Sequence, residues 1–260
     1  MADLLDKIRE LNRLVPKSTE IMGDFSPMLE ALGQTLGSNV YLAALDGTLL
    51  GRGVVAEPDC ARLEYDEAPR LSPAFQARLA FSAQTVANLP LEGCPFHEGG
   101  CPVPSGTMSV LPVKSGNERL GNLLLLKREG EVAEEDLMVA EAGAVVIALA
   151  VLHHQIERSE ADARQKANAQ VALDSLSFSE LRAAAHVFEE LGGSEGFLVA
   201  SKIADRIGIT RSVIVNAMRK LESGGVVETR SLGMKGTYIR IQNPFLLDEL
   251  VRRTRARGLQ

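Results

Sequence analysis

The sequence predicts an α+β protein with an N-terminal domain built on an antiparallel sheet, a long connector helix and a C-terminal helix-turn-helix with a β-hairpin wing. Three observations predict this arrangement. Short β-prone segments occur in two pairs, one on each side of a long proline-rich stretch. An unbroken helical pattern then runs over Glu134–Leu176. A helix–glycine–helix pattern over Ala200–Gly225 precedes two further β-prone segments.

The first 54 residues predict two helices and a hairpin. Apolar residues recur at helical spacing within residues 3–36, and Ser26 followed by Pro27 is typical of an N-cap and a first helical residue. Asp46-Gly47 is a strong hairpin signal. It lies between two short apolar strands, Val40–Leu45 and Thr48–Val54.

Residues 57–105 are irregular and contain seven prolines, with short helices predicted near residues 59–66 and 73–81. The strands Thr107–Val113 and Leu120–Lys127 follow, joined by residues 114–119. Two strand pairs separated by a long loop, with helices at both ends, are the order of a GAF/PAS-like sensor domain, in which one antiparallel sheet holds a small-molecule pocket. Long loops in compact domains are usually binding loops or disordered, and here we expect binding loops.

Glu134–Leu176 predicts one long helix or two helices in tandem. Its first half is apolar over a wide arc, which is explained either by the domain core or by a dimer seam. Its second half is charged and rich in alanine, as expected of a connector. Ser177 and Glu180 form a capping box that begins the next helix, Ser179–Leu191.

The helix-turn-helix pattern explains most of Ala200–Gly225. Ala204 is small enough for two helices to cross at that point, and Gly208 can adopt the positive φ of the turn. Thr210 is placed to cap the second helix through its hydroxyl. Buried positions on the second helix leave an outward face suited to reading base edges. That face comprises Arg211, Ser212, Val215, Asn216 and Arg219.

A basic hairpin is predicted directly after the second helix. The segment Val226–Gln242 contains two β-prone stretches around a turn at Gly233–Gly236. Lys235 lies at the tip, with Arg230 beside it, and such a wing commonly contacts phosphates.

Charge is segregated along the chain, although the formal net charge is only −6. Residues 200–260 hold 12 Lys and Arg against 5 Asp and Glu, whereas residues 1–199 hold 16 against 29. Only the C-terminal part therefore offers the basic surface that DNA requires. No uninterrupted run of 18 apolar residues occurs, and the N-terminus lacks the apolar core of a signal peptide, so we expect a cytoplasmic protein without a membrane span.

The three cysteines leave two other functions open. Cys94, His97 and Cys101 lie on one loop, which allows a redox- or metal-responsive transcription factor. No Cys-x-x-Cys pair is present, and this spacing matches no common zinc site. A GAF-type cysteine enzyme is the second alternative, but a basic winged helix has no use in such an enzyme. We therefore expect a regulator without a metal rather than an enzyme.

The segment Leu198–Ile241, LVASKIADRIGITRSVIVNAMRKLESGGVVETRSLGMKGTYIRI, resembles the C-terminal domain of the CodY family almost continuously. In the N-terminal half, SNVYL, LLG, the region of Arg62, GNERLG and EEDLMVAEAGAVV also fit that family. The resemblance implies a global transcriptional regulator of low-GC Gram-positive bacteria that mainly represses genes needed when nutrients run short. It implies a homodimer, with a tetramer left open, that binds an A·T-rich pseudo-palindromic operator in double-stranded DNA. It further implies that isoleucine or valine is the effector, and that many members respond to GTP, although no GxxxxGK[ST] phosphate loop is present here.

The resemblance also assigns ligand-binding positions. Arg62 falls where the family has its carboxylate-binding arginine, a role that suits the planar guanidinium fork. Tyr41 falls at a pocket aromatic position that is normally Phe, and Leu63 at an apolar position. Cys94 and Phe96 fall on the loop that closes over the ligand, where Cys94 replaces a family Thr.

From these observations we expect three parts: a ligand-sensing domain over residues 1–155, a connector helix over 156–176 and a DNA-binding domain over 177–260. Closure of the loops in residues 57–105 on the ligand is expected to bias the winged domains toward their DNA-competent state.

Overall fold

The structure is a computed structural model that describes residues 2–13, 23–55, 63, 69–79, 84–91, 93–97, 106–233 and 236–258. The chain divides into two compact units, Met1–Glu157 and Arg158–Gln260. Each unit has its own hydrophobic core.

The first unit is built on a five-stranded antiparallel sheet in the order β2-β1-β5-β4-β3. Its strands are β1 (Asn39–Ala44), β2 (Leu49–Gly53), β3 (Val86–Pro90), β4 (Thr107–Ser115) and β5 (Glu118–Lys127). Its helices are α1 (Ala2–Asn12), α2 (Ser26–Leu36), α3 (Pro73–Leu79) and the first part of α4 (Glu134–Asp174). The structure therefore has the predicted antiparallel sheet, with α1 and α2 before its first strand and α4 after its last strand along the chain.

Both predicted hairpins are present, and the second turn is tighter than predicted. β1 and β2 pair antiparallel around Asp46-Gly47, as expected. β4 and β5 extend to a Ser115–Glu118 pair, so that Gly116 and Asn117 alone form the turn. The predicted loop over residues 114–119 was too long because β pairing continues through its polar residues.

The edge strand β3 was not predicted. A register shift interrupts its pairing with β4 between Val86 and Leu89, and Asn88 has a φ of +53°. The Asn88 side chain accepts from Val132 N at 2.8 Å and donates to Val132 O at 3.0 Å. This irregularity removes the alternating pattern by which a strand is recognised in sequence.

The two faces of the sheet bury different clusters. One face packs against α2 and α4, and the opposite face packs against α3 and the segments around Leu63 and Phe96. The backbone of α2 lies so close to β2 that a Cβ on Gly53 would stand 2.2 Å from the Leu29 carbonyl carbon. A side chain at position 53 would therefore separate α2 from the sheet.

The predicted cap of α2 was wrong in detail. Phe25 occupies the N-cap position and Ser26 is the first helical residue, so Pro27 is the second helical residue rather than the first as predicted. The Asp24 carboxylate accepts from Ser26 N at 3.0 Å, so an aspartate side chain two residues earlier stabilises the entry into the helix.

α4 is one continuous helix over Glu134–Asp174 rather than two in tandem. Its first half contributes buried residues to the core of the first unit, including Val139, Ile147 and Val151. By length and composition alone this helix could cross a membrane, but 44% of that apolar window is buried inside the protein.

The second unit contains the end of α4, four helices and a three-stranded sheet. The helices are α5 (Phe178–Leu191), α6 (Ala200–Ile207), α7 (Arg211–Ser223) and α8 (Leu246–Ala256). The strands β6 (Glu195–Leu198), β7 (Val227–Ser231) and β8 (Thr237–Ile241) pair antiparallel in the order β6-β8-β7. The predicted hairpin is thus β7–β8, and the unpredicted β6 lies along its free edge. The predicted capping box is confirmed, because Ser177 and Glu180 exchange both hydrogen bonds.

Candidate DNA interface and ligand pocket

The helix-turn-helix is formed by α6 and α7. Ile203 and Ala204 are buried where the two helices cross, and Gly208 ends α6 with a φ of +68°. Thr210 occupies the N-cap position of α7, but its hydroxyl hydrogen-bonds the Ser212 hydroxyl at 2.8 Å instead of a backbone N–H. The predicted turn geometry is therefore confirmed, whereas the predicted capping bond was wrong.

The predicted outward face of α7 is accessible to solvent. Ile214, Ala217, Met218 and Leu221 point into the core of the second unit. Arg211, Ser212, Asn216 and Arg219 are exposed, and Val215 is half-buried. The helix thus presents two cations, an amide, a hydroxyl and an apolar tip on one side, a set that can pair with base edges in the major groove.

A groove of about 270 Å³ lies between α7 and the wing. Arg211, Val215 and Arg219 line it from the helix. Hydroxyl groups line it from the wing strands, at Thr229, Ser231 and Thr237. These wing residues were not predicted as site residues, although their alternation along β7 and β8 could have identified them.

The wing is tied to the C-terminal turn of α7 by one carboxylate. Glu222 accepts from Thr229 N at 2.9 Å and from the Thr229 hydroxyl at 2.8 Å. This contact fixes the distance between the end of the helix and the first wing strand, and no sequence signal indicated it.

Of the two predicted basic residues of the wing, the structure describes Arg230. Arg230 alternates with Thr229 and Ser231, so it lies on the opposite face of the sheet from the groove. Its guanidinium pairs with Glu228 at 2.6 Å, and this hydrogen bond holds the pKa of the Glu228 carboxyl below its usual value. Lys235 lies outside the described residues. The structure therefore does not bring Arg230 together with the residues of α7.

The end of α4 contacts the end of α7 within the second unit. Asn168 Nδ2 donates to Gly224 O at 3.2 Å, and a Cβ on Gly224 would lie 2.9 Å from that of Ala172. Lys220 Nζ donates to Ser175 O at 3.1 Å and to Glu180 at 2.7 Å. Two separate contacts therefore join the last turns of α4 and the start of α5 to the end of α7.

Three predicted ligand-binding residues meet in the first unit. Tyr41, Leu63 and Phe96 belong to one apolar cluster on the α3 side of the sheet. Tyr41 is 1% exposed, and its ring centroid lies 4.9 Å from that of Phe96. Residues distant in sequence thus form an apolar site that could enclose an aliphatic side chain.

The polar members of the predicted pocket are only partly described. Cys94 is a half-buried free thiol two residues before Phe96. Arg62 lies outside the described residues, as do Cys60 and Cys101. Within the described part of the chain, no group of three or more His, Cys, Asp or Glu side chains is placed to hold a metal ion.

Comparison with known proteins covers nearly the whole chain. Residues 3–175 match the model of the CodY GAF-like domain, and residues 194–253 match that of the CodY helix-turn-helix domain. The chain is 43% identical over 254 residues to the Global transcriptional regulator CodY of Clostridium botulinum strain Hall, covering 96% of this chain and 98% of the relative. It is 44% identical over 253 residues to the protein of the same name from Brevibacillus brevis, covering 95% and 97% of the two chains.

Among solved structures, the chain is similar to the cofactor-binding GAF domain of the nutrient sensor CodY from Clostridium difficile. The identity is 25%, the TM-score is 0.39, and the match covers 57% of this chain and 97% of that one. The family models and the curated relatives together show that this chain, with its GAF-like N-terminal domain and its helix-turn-helix C-terminal domain, belongs to the CodY family.

Proposed function

We propose that this member of the CodY family is a cytoplasmic, mainly repressing regulator of transcription whose DNA binding responds to a branched-chain amino acid. One observation carries the proposal: each unit presents a site whose chemistry suits its partner. The first unit gathers Tyr41, Leu63 and Phe96 into one apolar cluster. The second exposes Arg211 and Arg219 beside a groove lined with hydroxyl groups.

The DNA partner is proposed to be an A·T-rich pseudo-palindrome read by α7. Asn216 can pair with adenine and Arg211 or Arg219 with guanine, while Val215 can contact a thymine methyl group. Ser212 can pair with either type of base edge. The groove hydroxyls and Lys235 are proposed to contact phosphates, and Arg230 is proposed to do so by exchanging Glu228 for a phosphate.

The effector is proposed to be isoleucine or valine, bound at the apolar cluster. A free amino acid has a carboxylate, an ammonium group and a side chain, and the cluster supplies apolar walls for the side chain. Arg62, to which the family resemblance gives this role, is proposed to hold the carboxylate, and its neighbour in sequence, Leu63, belongs to the cluster. Cys94 and Phe96 are proposed to close over the ligand. GTP remains a second proposed effector, suggested only by the family resemblance.

A homodimer is proposed to form through the exposed side of α4. Large apolar side chains that are about half exposed or more recur there at seven- and four-residue spacing: Met138, Val145, Leu149 and Ile156. Ala142 is exposed on the same stripe and Leu152 is half-buried. Such a 3.5-residue repeat is what a paired helix requires, and a second copy of the chain supplies an identical stripe. A tetramer would require a further surface.

Ligand and DNA binding are proposed to be coupled through α4. The helix is continuous from the core of the first unit to the contacts with Lys220 and Gly224 at the end of α7. A ligand changes DNA affinity only if it binds the DNA-competent state more tightly than the other state.

Calorimetric titration of the full-length protein with isoleucine, valine and alanine tests the effector assignment. We expect isoleucine and valine to bind and alanine to bind at least about tenfold more weakly, since it fills less of the apolar cluster. Arg62→Ala should abolish binding, whereas Arg78→Ala, on the exposed side of α3, should not change it. Unchanged isoleucine affinity in Arg62→Ala would refute the proposed site.

A further inference from the structure

A carboxylate lies on the surface that is proposed to face DNA. Glu222 is exposed and lines the groove between α7 and the wing, together with Arg211 and Arg219. Among the described residues that line this groove, Glu222 is the acidic one. A negative charge at this position is repelled by phosphates and lowers the affinity for every duplex. Glu222 is therefore expected to make a contribution that offsets this repulsion.

The carboxylate of Glu222 binds the wing rather than the neighbouring arginines. Its Oε1 accepts from Thr229 N at 2.9 Å and from the Thr229 hydroxyl at 2.8 Å. Within the described part of the chain, no hydrogen bond or ion pair joins Glu222 to Arg211 or Arg219. Glu222 therefore leaves both guanidinium groups to DNA.

The contact is made where β7 leaves the core of the second unit. Val227 is buried, Thr229 is half-buried and Ser231 is exposed. Because β7 is an edge strand of its sheet, the outward N–H of Thr229 has no strand partner, and Glu222 supplies the acceptor. The contact thus joins α7 to the wing at the last position of β7 that is not exposed.

The covalent connection between α7 and β7 restricts their separation only weakly. It contains Gly224 and Gly225, and Gly225 has a φ of +67°. Glycine has the widest backbone freedom of any residue. Glu222 precedes the two glycines and Thr229 follows them, so their hydrogen bonds close this connection into a short loop. The closed loop fixes the distance between the last turn of α7 and the wing.

We propose that Glu222 is a positioning residue for DNA recognition, which holds β7 at the separation from α7 at which both engage one duplex. This inference rests on the DNA binding proposed above. Base reading by Arg219, about one helical turn before Glu222, then occurs together with phosphate contacts of the wing. The hydroxyl proton of Thr229 is used by Glu222. Of the groove hydroxyls, those of Ser231 and Thr237 are therefore left to donate to phosphates.

The role is tested by affinities of full-length variants for an A·T-rich pseudo-palindromic duplex and for a shuffled duplex of the same composition. The measurements are made at several salt concentrations with isoleucine present. We expect Glu222→Ala to lower the ratio of the two affinities at least about fivefold. It should also reduce the slope of log affinity against log salt concentration by about one, because the wing loses a phosphate contact. A residue that acted only through its charge would do the opposite, since its removal would raise both affinities.

Conservative variants separate the hydrogen bonds from the charge. Glu222→Gln keeps an oxygen that can accept both bonds, so it should retain the parent ratio and bind both duplexes more tightly. Thr229→Val removes the hydroxyl and should show part of the loss, whereas Thr229→Ser keeps the hydroxyl and should show none. Asp205→Ala removes an exposed carboxylate from α6 and should leave the ratio unchanged.

Hydrogen exchange of the Thr229 amide reports the contact itself in the folded variants. Exchange should be faster in Glu222→Ala than in the parent and unchanged in Glu222→Gln. If Glu222→Ala does not fold, the comparison of Thr229→Val with Thr229→Ser decides the test.

Two outcomes would overturn the inference while leaving the proposed DNA binding intact. One is a parent-like ratio in Glu222→Ala, which would show that the carboxylate acts only by repulsion. The other is an equal loss in Glu222→Ala and Glu222→Gln, which would show that the charge rather than the acceptor is required. A parent protein without preference for the pseudo-palindrome would instead overturn the proposed DNA binding, and this inference with it.

Discussion

Arg219 and Arg230 carry the same charge, but their surroundings predict different roles. Arg219 lines the groove beside the wing, whereas Arg230 is held by Glu228 on the opposite face of the sheet. An exposed ion pair contributes little stability, so Arg230 can exchange Glu228 for a phosphate at small cost. Charge alone therefore does not identify which arginine reads a base.

Base reading and phosphate contact are separable by substitution. We expect Arg219→Ala to lower discrimination at one base pair by about 1–3 kcal/mol. Lys235→Ala should weaken binding to all duplexes about equally. It should also reduce the slope of log affinity against log salt concentration by about one, the contribution of one phosphate contact. Affinities for an operator and its single-base variants, measured at several salt concentrations, check both expectations. Identical effects from the two substitutions would contradict this division of roles.

The Glu180 carboxylate makes the free energy of unfolding depend on pH. Burial disfavours its ionised form, but hydrogen bonds donated by Lys220 Nζ and Ser177 N to the carboxylate hold its pKa below its usual value. Because the folded pKa is lowered, this contribution is present above the unfolded pKa and is lost as the pH falls through the folded pKa.

Glu180→Gln should accordingly lower the free energy of unfolding by about 2 kcal/mol at neutral pH. The difference from the parent protein should shrink as the pH falls below the usual glutamate range. Denaturant unfolding of both proteins from pH 7 to pH 3 measures this difference in the free energy of unfolding. Glu160→Gln, at an exposed position of α4, serves as the control. A difference that stays constant over this range would contradict the role of the charge.

Local signals predicted most of the secondary structure, and non-local contacts explain what was missed. The capping box at Ser177, the glycine turn at Gly208 and the Asp46-Gly47 hairpin each depend on residues a few positions apart. β3 and β6 have no such signal, because their pairing depends on partner strands that are distant in sequence. Nothing in the local sequence of α6 to β7 could show that Thr210 would bond Ser212, or that Glu222 would accept from Thr229.

One side of α4 packs into the core of the first unit, and another side carries an exposed apolar stripe. From the sequence, its wide apolar arc is explained either by a core or by a dimer seam. The core residues account for one part of the arc, and the exposed Val145 and Leu149 remain as a candidate seam. The homodimer itself stays a prediction.

Leu149→Glu should therefore dissociate the proposed dimer, since one carboxylate from each copy would face the other in an apolar seam. Sedimentation equilibrium should give half the parent mass, and affinity for a pseudo-palindromic duplex should fall at least about tenfold because two half-sites no longer bind together. Gln155→Glu adds the same charge at an exposed position outside the stripe and should leave the mass unchanged. A dimer that persists in Leu149→Glu would exclude this seam.

At the scale of the whole molecule, the segregation of charge matches the division of roles. The excess of Lys and Arg lies in residues 200–260, and the excess of Asp and Glu lies before them. This separation was visible in the sequence, as was the order of the two domains. The positions of Arg62 and Lys235 lie outside the described residues, so their roles rest on the family resemblance and on chemistry.

Coupling between the two sites requires that the effector change DNA affinity, and by linkage that DNA change effector affinity by the same factor. The most direct measurement is a gel shift of an A·T-rich pseudo-palindromic duplex at fixed salt, with and without millimolar isoleucine. We expect isoleucine to increase affinity about five- to a hundredfold, alanine to have no effect and Arg62→Ala to remove the increase. The same affinity with and without isoleucine would contradict the amino-acid sensor, and a response to oxidant or chelator in its place would favour the loop that carries Cys94, His97 and Cys101.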